Sequence, residues 1–118
     1  MNSLNVIGRL AADPQTKYFE SGSSITEFRI ALDKGKDKQG KDLGAVWLSC
    51  KAWNKTGILI ADYFKKGQMI ALQGRLDQEE WEDRNTGDKR SKLLMTVDRL
   101  TFLGKANAEP ANDDFDGF

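Results

Sequence analysis

AVWLSCKAW, residues Ala45–Trp53, is the stretch that decides the fold, because small apolar residues alternate in it with polar and aromatic ones. Successive side chains of a β-strand point to opposite faces. One face is small and apolar and suits a barrel interior: Val46, Leu48, Cys50 and Ala52. The opposite face combines polar groups with two large rings: Trp47, Ser49, Lys51 and Trp53.

The two tryptophans on this polar face allow two interpretations. They could be buried in a subunit interface or under a helix. They could instead form an open platform for nucleobases, each of which contributes ~1–3 kcal/mol by stacking on an aromatic ring, whatever its identity. Lys51 lies midway between the rings, where a phosphate of a bound strand would pass.

The flanking sequence predicts further strands and one helix. Period-two or branched stretches predict strands at Leu4–Leu10, Ile25–Leu32, Met69–Leu76 continuing through Gln78–Arg84, and Lys92–Leu103. Apolar residues at three- and four-residue spacing predict a helix over Lys55–Lys66, with Asn54 as N-cap, Lys65 and Lys66 at its negative end and Gly67 as C-cap. Turns are predicted at Asp13-Pro14 and at Asn85–Asp88.

This order of elements predicts an all-β chain with the OB-fold, a five-stranded Greek-key barrel with one helix between the third and fourth strands. Residues 1–104 would form this barrel domain, and residues 105–118 a short flexible acidic tail. Gly8 and Gly74 fall inside predicted strands, where glycine is typical of bulges and tight barrel bends.

Composition argues against several classes of function. The chain has no histidine and only one cysteine, which excludes a Cys/His zinc site and any Ser-His-Asp or Cys-His relay. A metal site built from carboxylates alone stays open on composition, but we expect no enzyme activity, no metal and no cofactor. No apolar run approaches the length of a membrane span and no secretory signal is visible, so we expect a cytoplasmic protein without a membrane partner.

Charge is segregated along the chain although the net charge is zero. Residues 1–105 carry 18 basic and 14 acidic side chains, whereas residues 106–118 carry four acids and no base. The body is therefore mildly basic and the tail acidic, a pattern typical of an interaction tail. The tip of the tail could be a mere solubiliser or a peptide ligand for a partner pocket: Asp113, Asp114, Phe115, Asp116, Gly117 and Phe118.

Several basic residues are candidate phosphate ligands. Arg9, Arg29 and Arg75 lie within strands, where a charge must face water or a ligand. Lys34 and Lys36 belong to the segment Asp33–Gly44, which we expect to be a mobile basic loop, either simply solvated or an electrostatic clamp.

Trp81 is the third candidate stacking ring, with a structural or interface role as the alternative. Five acids surround it in the sequence, which would repel a phosphate backbone: Asp77, Glu79, Glu80, Glu82 and Asp83. Arg84 and the bases beyond the turn would offset that repulsion.

The ordered set of motifs resembles the bacterial single-stranded DNA-binding proteins of the SSB family over nearly the whole chain. The matching pieces are Asn5–Leu10, Asp13-Pro14 with Tyr18-Phe19, Trp47–Trp53, Tyr63–Gly67, and Gly74–Leu76 followed by Trp81 and Asp83. Tyr18–Gly22 and the paired Trp47 and Trp53 are most similar to cyanobacterial members.

The resemblance implies a homotetramer that wraps single-stranded DNA during replication, recombination and repair. Trp47, Trp53 and Trp81 match the family's stacking aromatics, and the tip ending in Phe118 matches its docking tip for replication and repair proteins. The chain departs from the family pattern at Lys34-Gly35, at Glu79-Glu80 and at the final Asp-Gly-Phe. The alternatives are an accessory or primosome-type OB-fold interaction protein with weak DNA binding, and an OB-fold RNA binder.

Overall fold

The computed structural model describes residues 1–103, which contain six strands and one helix. The strands are β1 (Leu4–Leu10), β2 (Gln15–Tyr18), β3 (Ser24–Asp33), β4 (Ala45–Trp53), β5 (Met69–Glu82) and β6 (Lys89–Thr101), and the helix is α1 (Asn54–Tyr63). The sheet order is β1-β5-β6-β4-β3-β2, and a further β1–β3 pairing closes five strands into a ring. The predicted five-stranded OB barrel is confirmed.

Strand β2 was not predicted, and it shifts the position of the helix in the element order. It pairs antiparallel with β3 on the outside of the ring, from Gln15 opposite Glu27 to Tyr18 opposite Ser24. The helix consequently follows the fourth strand, so its predicted place between the third and fourth strands is wrong by this one strand.

The barrel is closed by pairings between distant parts of the chain. Strand β1 pairs with β5, with Leu4 opposite Gly74, and it meets β3 only at Arg9 and Leu10. The single parallel contact joins β4 to β6, with Cys50 beside Met95. These pairings curl the sheet around one apolar interior.

The core lies between the strands and α1, which closes one end of the barrel. Its fully buried apolar side chains are Ile30, Ile60, Ile70 and Met95, from three strands and the helix. Burying each such side chain contributes roughly 1.5–3 kcal/mol. The predicted inner face of β4 is correct for Cys50 and Ala52, and Leu48 packs partly buried against the core, but Val46 is exposed.

The glycines predicted at barrel bends are at points of close backbone approach. At Gly74 the β5–β6 register shifts, and a Cβ there would overlap the carbonyl oxygen of Thr96. At Gly8 a Cβ would lie 2.8 Å from the carbonyl oxygen of Ala31, where β1 crosses onto β3. Both positions therefore require glycine for steric reasons.

The ends of α1 differ from the prediction. Asn54 is the first helical residue rather than the N-cap, with a left-handed φ of 52°, and its Oδ1 accepts a hydrogen bond from the Ser24 N–H at 2.9 Å. The helix ends at Tyr63, so Lys65 and Lys66 lie beyond its last turn. The asparagine side chain thus ties the helix to β3 instead of capping it. Over residues 1–103, no helix is both long and apolar enough to cross a bilayer.

Candidate nucleic-acid interface

The outer faces of β3 and β4 form one continuous surface that includes two tryptophans. Trp47 lies opposite Ala31, Ser49 opposite Arg29, Lys51 opposite Glu27 and Trp53 opposite Ile25. Trp47 is 57% exposed and Trp53 is 43% exposed, so α1 covers neither ring. An open groove of about 420 Å³ adjoins the middle of this face, and its lining includes Gln15, Glu27, Arg29, Lys51, Glu79 and Lys92.

Each tryptophan of this surface, called the platform below, has a partner on the neighbouring strand β3 or on the β2–β3 turn. The Arg29 guanidinium lies 5.4 Å from the centroid of the Trp47 ring, a cation–π contact. The Phe19 ring lies 6.3 Å from the Trp53 ring, tilted by 31°. Both indoles are therefore supported on one side while remaining accessible on another.

Lys51 is held by two carboxylates of β5. Its side chain is only 16% exposed, and its Nζ lies 3.4 Å from Glu79 Oε2 and 3.7 Å from Asp77 Oδ2. Hydrogen bonds from the Gln78 N–H and the Thr96 hydroxyl lower the pKa of Asp77, and the positive charges of Lys51 and Arg75 act in the same direction. The lysine charge at the centre of the platform is therefore matched by two acids, and its predicted phosphate contact stays a prediction.

Trp81 lies on the β5–β6 hairpin and is 48% exposed. Its register partner is Arg90, and alternation along β5 places Asp77 and Glu79 on the face of Trp81 but Glu80 and Glu82 on the other. The acids that crowd this ring in sequence are thus divided between two faces in the structure.

The predicted hairpin turn after Trp81 is confirmed and is organised by Asp83. The Asp83 carboxylate accepts hydrogen bonds from the Asn85 N–H at 2.8 Å and the Thr86 N–H at 3.3 Å. It also pairs with Arg90 at 3.5 Å. Arg84 is exposed at the start of this turn, and in the described part of the chain it makes no ion pair.

The remaining predicted phosphate ligands are dispersed. Arg9 is near the Trp47 end, opposite Ala31, and its Nη1 donates to the Gly67 carbonyl at 3.1 Å. Arg75 on β5 forms an ion pair with Asp98 on β6 at 3.5 Å. Of the predicted set, the platform brings together Trp47, Trp53, Lys51 and Arg29, with Arg9 beside them.

The segment between β3 and β4 is an internally hydrogen-bonded hairpin extension rather than an irregular loop. The Lys34 N–H donates to the Gly44 carbonyl at 2.9 Å, and Lys36 forms a β-bridge with Asp42. Three aspartates in it accept backbone hydrogen bonds through their carboxylates: Asp33, Asp37 and Asp42. The side chains of Lys34 and Lys36 are exposed on this extension.

From sequence, Arg90 and Lys92 are expected only to offset the acids around Trp81, and Phe19 has no expected role in binding. Arg90 and Lys92 face the same side as Trp81 and Glu79, their register partners on β5. The spacing of two between Arg90 and Lys92 could have indicated that they share a face. Phe19 had no such signal, because its place beside Trp53 depends on β2, which pattern alone did not predict.

Two predictions concern matters beyond the platform. Across residues 1–103, no group of three or more His, Cys, Asp or Glu side chains could hold a metal ion. The acidic tail, with its proposed docking tip Asp113–Phe118, lies outside the described residues.

Comparison with known proteins decides the family. The model of the "Single-strand binding protein family" matches residues 1–103, the whole described barrel. The chain belongs to the single-strand binding protein family. It is 38% identical over 117 residues to Single-stranded DNA-binding protein 1 of Synechocystis sp., covering 98% of this chain and 95% of that protein.

Other members of the family extend this similarity. Single-stranded DNA-binding protein of Thermosynechococcus vestitus is 34% identical, over 93% of this chain and 89% of its own length. That of Borreliella burgdorferi is 36% identical, over 91% of this chain and 72% of its own length. The predicted membership of this family, with cyanobacterial relatives prominent, is confirmed.

Proposed function

We propose that this protein binds single-stranded DNA without strong sequence preference on the outer faces of β3 and β4. The observation that carries the proposal is the pair of exposed rings, Trp47 and Trp53, on one face of β4, each supported by a neighbour. Every nucleobase has a π-face, so stacking on such rings is tolerant of sequence, and it contributes ~1–3 kcal/mol per base on OB-folds generally.

The phosphate backbone would follow the unpaired cations that border the platform. Within residues 1–103 neither Arg29 nor Lys92 makes an ion pair, and both line the open groove beside Lys51. Arg9 and the exposed Lys34 and Lys36 extend the positive charge at the Trp47 end. Each phosphate neutralised releases counterions, so affinity should fall as salt rises.

The biological role follows from a sequence-tolerant surface of this kind. The protein would coat and protect single strands in the cytoplasm, associated with the nucleoid, during DNA replication, recombination and repair, without catalysis of its own. Partner proteins would dock on the C-terminal tip, whose aromatic residues and acids suit an apolar pocket with a basic rim.

Self-association into a homotetramer is supported by the edge of β1. Residues 4–7 of β1 pair with β5 on one side only, and Ile7 is exposed on that strand. An adjoining groove of about 530 Å³ is mostly apolar, with Val6, Ala71, Leu72 and Leu103 in its lining. A second chain that covers this edge would satisfy its backbone groups and bury the groove. Sedimentation of the full chain should give a four-subunit particle, and a monomer at micromolar concentration would contradict this.

One observation favours a second candidate, an accessory protein that binds DNA weakly and mainly recruits partners. Lys51, the cation at the centre of the platform, is already neutralised by Asp77 and Glu79. Intrinsic tryptophan fluorescence separates the two candidates. Titration with poly(dT) should quench it strongly at low salt and less at high salt. Weak quenching with intact partner capture would favour the accessory role, and preferential quenching by poly(rU) would favour an RNA ligand.

A further inference from the structure

We infer that Phe19 is an additional stacking position. It would bind a nucleobase at the β2–β3 turn, where the bound DNA continues past Trp53. This inference rests on the proposed function and deepens it, because it adds a subsite to the platform. It assigns a ligand-binding role to a residue outside β4, on a turn that closes one end of the interface.

Phe19 is exposed on the surface beside an exposed tryptophan, Trp53. Its side chain is 46% exposed, and its ring lies 6.3 Å from the Trp53 ring at an interplanar angle of 31°. Two aromatic rings side by side on the surface offer a larger stacking face than one ring alone. Trp53 covers part of Phe19, and the rest of the ring remains open next to the platform.

The backbone of the turn that carries Phe19 is held by its own hydrogen bonds before any ligand binds. The Phe19 N–H donates to the Ser23 carbonyl at 2.9 Å, and the Gly22 N–H donates to the Phe19 carbonyl at 3.0 Å. Gly22 has a φ of 97°, which the tight turn requires. The turn therefore fixes the backbone from which the ring projects.

The β2–β3 turn is joined to the end of β4 by a hydrogen bond and by strand pairing. The Ser24 N–H donates to Asn54 Oδ1 at 2.9 Å, and Ile25 pairs with Trp53 in the β3–β4 ladder. The Asn54 side chain thus ties the turn that carries Phe19 to the residue that follows Trp53. Ordering entropy that would otherwise oppose binding has already been lost in folding.

The direction of the side chains agrees with this assignment. Lys17 faces the platform side, since it makes an ion pair with Glu27 at 3.2 Å. Tyr18 follows it on β2 and points to the other side by alternation, whereas Phe19 returns to the platform side. Tyr18 is also exposed and aromatic, so it is a matched control on the same hairpin.

The size of the platform gives the inference a measurable consequence. Trp47 and Trp53 are separated by six residues of strand, or roughly 20 Å at ~3.3 Å per residue. Phe19 lengthens this aromatic path beyond Trp53. Removing its ring should therefore weaken a long oligonucleotide more than a short one that fits between the two tryptophans.

The experiment compares Phe19→Ala, Phe19→Trp and Tyr18→Ala with wild type in the full chain. Fluorescence titrations with oligo(dT) of increasing length should show Phe19→Ala weakened about fivefold or more on long oligomers, the lower end of the loss of one stacked base. Tyr18→Ala should match wild type, and Phe19→Trp should restore binding. Melting temperatures of all variants should stay close to that of wild type.

Photocrosslinking provides the readout that a purely structural role would not give. Irradiation of the wild-type complex with 5-iodouracil-substituted oligo(dT) should yield a crosslinked peptide that contains Phe19. Unchanged binding by Phe19→Ala, failure of Phe19→Trp to restore it, or crosslinks that never include this peptide would each overturn the inference while wild type still binds poly(dT). Absence of wild-type binding would overturn the proposed function as well.

Discussion

The outer face of β4 and the β5–β6 hairpin both present exposed tryptophans, but they support those rings differently. Trp47 has the Arg29 guanidinium at 5.4 Å and Trp53 has the Phe19 ring at 6.3 Å. Trp81 has no ring or guanidinium stacked on it among residues 1–103, and it shares its face with two acids, Asp77 and Glu79. Equal exposure does not make these rings equivalent, because a ring's contribution to binding depends on what orients it and on the charge around it.

The largest effect should come from removing both rings of the β4 face. Trp47→Ala combined with Trp53→Ala deletes two stacking positions. Together these changes should weaken the binding of poly(dT) by ~2–6 kcal/mol. Competition against labelled oligo(dT) measures this without tryptophan fluorescence, and circular dichroism checks that the variant is folded. A folded double variant with wild-type affinity would disprove the platform.

A smaller effect is expected from the hairpin. Trp81→Ala should weaken the binding of poly(dT) by about 1 kcal/mol, the low end for one stacked base. The effect is small because no ring or guanidinium among residues 1–103 stacks on Trp81 and because the ring lies beside acids. The measurement is the same competition against labelled oligo(dT) as for the β4 double variant. A loss equal to that of the β4 double variant would remove the distinction between the two regions.

The acids beside Lys51 give a test in the opposite direction. Asp77→Asn with Glu79→Gln should free the lysine ammonium for a phosphate, raise affinity at low salt by a few fold and steepen the salt dependence by about 0.7 in the log–log slope for a single strand. Glu80→Gln with Glu82→Gln removes the same charge from the opposite face and serves as control. Identical slopes for the two variants would show that Lys51 is irrelevant to the ligand.

The smallest effect concerns stability against pH. The pKa of Asp77 is lowered in the folded protein, chiefly by the hydrogen bonds from the Gln78 N–H and Thr96, from an ordinary value of 3.8. Its stabilisation is therefore complete above that ordinary value and is lost as pH falls through the lower folded value. The melting-temperature advantage of wild type over Asp77→Asn should be constant near neutrality and shrink below pH ~3.8. An advantage that grows on acidification would contradict this sign.

Most of the barrel could be predicted from sequence, because strands that face a core must alternate. The bounds of β1 and β4 were predicted to the residue, and the Trp81 hairpin turn was found from its turn residues. Strand β2 was missed since its four residues carry no apolar alternation, and it exists as a strand through its pairing with β3. The helix cap was wrong because a tertiary hydrogen bond to Ser24 competes for the Asn54 side chain.

The candidate site was only partly predictable for a related reason. The two tryptophans share a strand, so their common face follows from local periodicity. The contacts of Lys51 with Asp77 and Glu79 join separate strands, and their distances depend on the β4–β6 and β5–β6 registers. The packing of Phe19 on Trp53 likewise needs the fold of the β2–β3 turn. Single-strand periodicity carries no information about either contact.

The pairing of Leu4 with Gly74 and of Cys50 with Met95 has a consequence for how the chain folds during synthesis. The hairpins β2–β3 and β3–β4 join neighbouring segments and can form as soon as Trp53 has left the ribosome. The first strand must wait for β5, and the ring must wait for β6. Contacts so distant in sequence make folding slow, in the range of milliseconds to seconds. The surface that would hold DNA is thus built from the earliest contacts of the nascent chain, and the barrel beneath it from the latest.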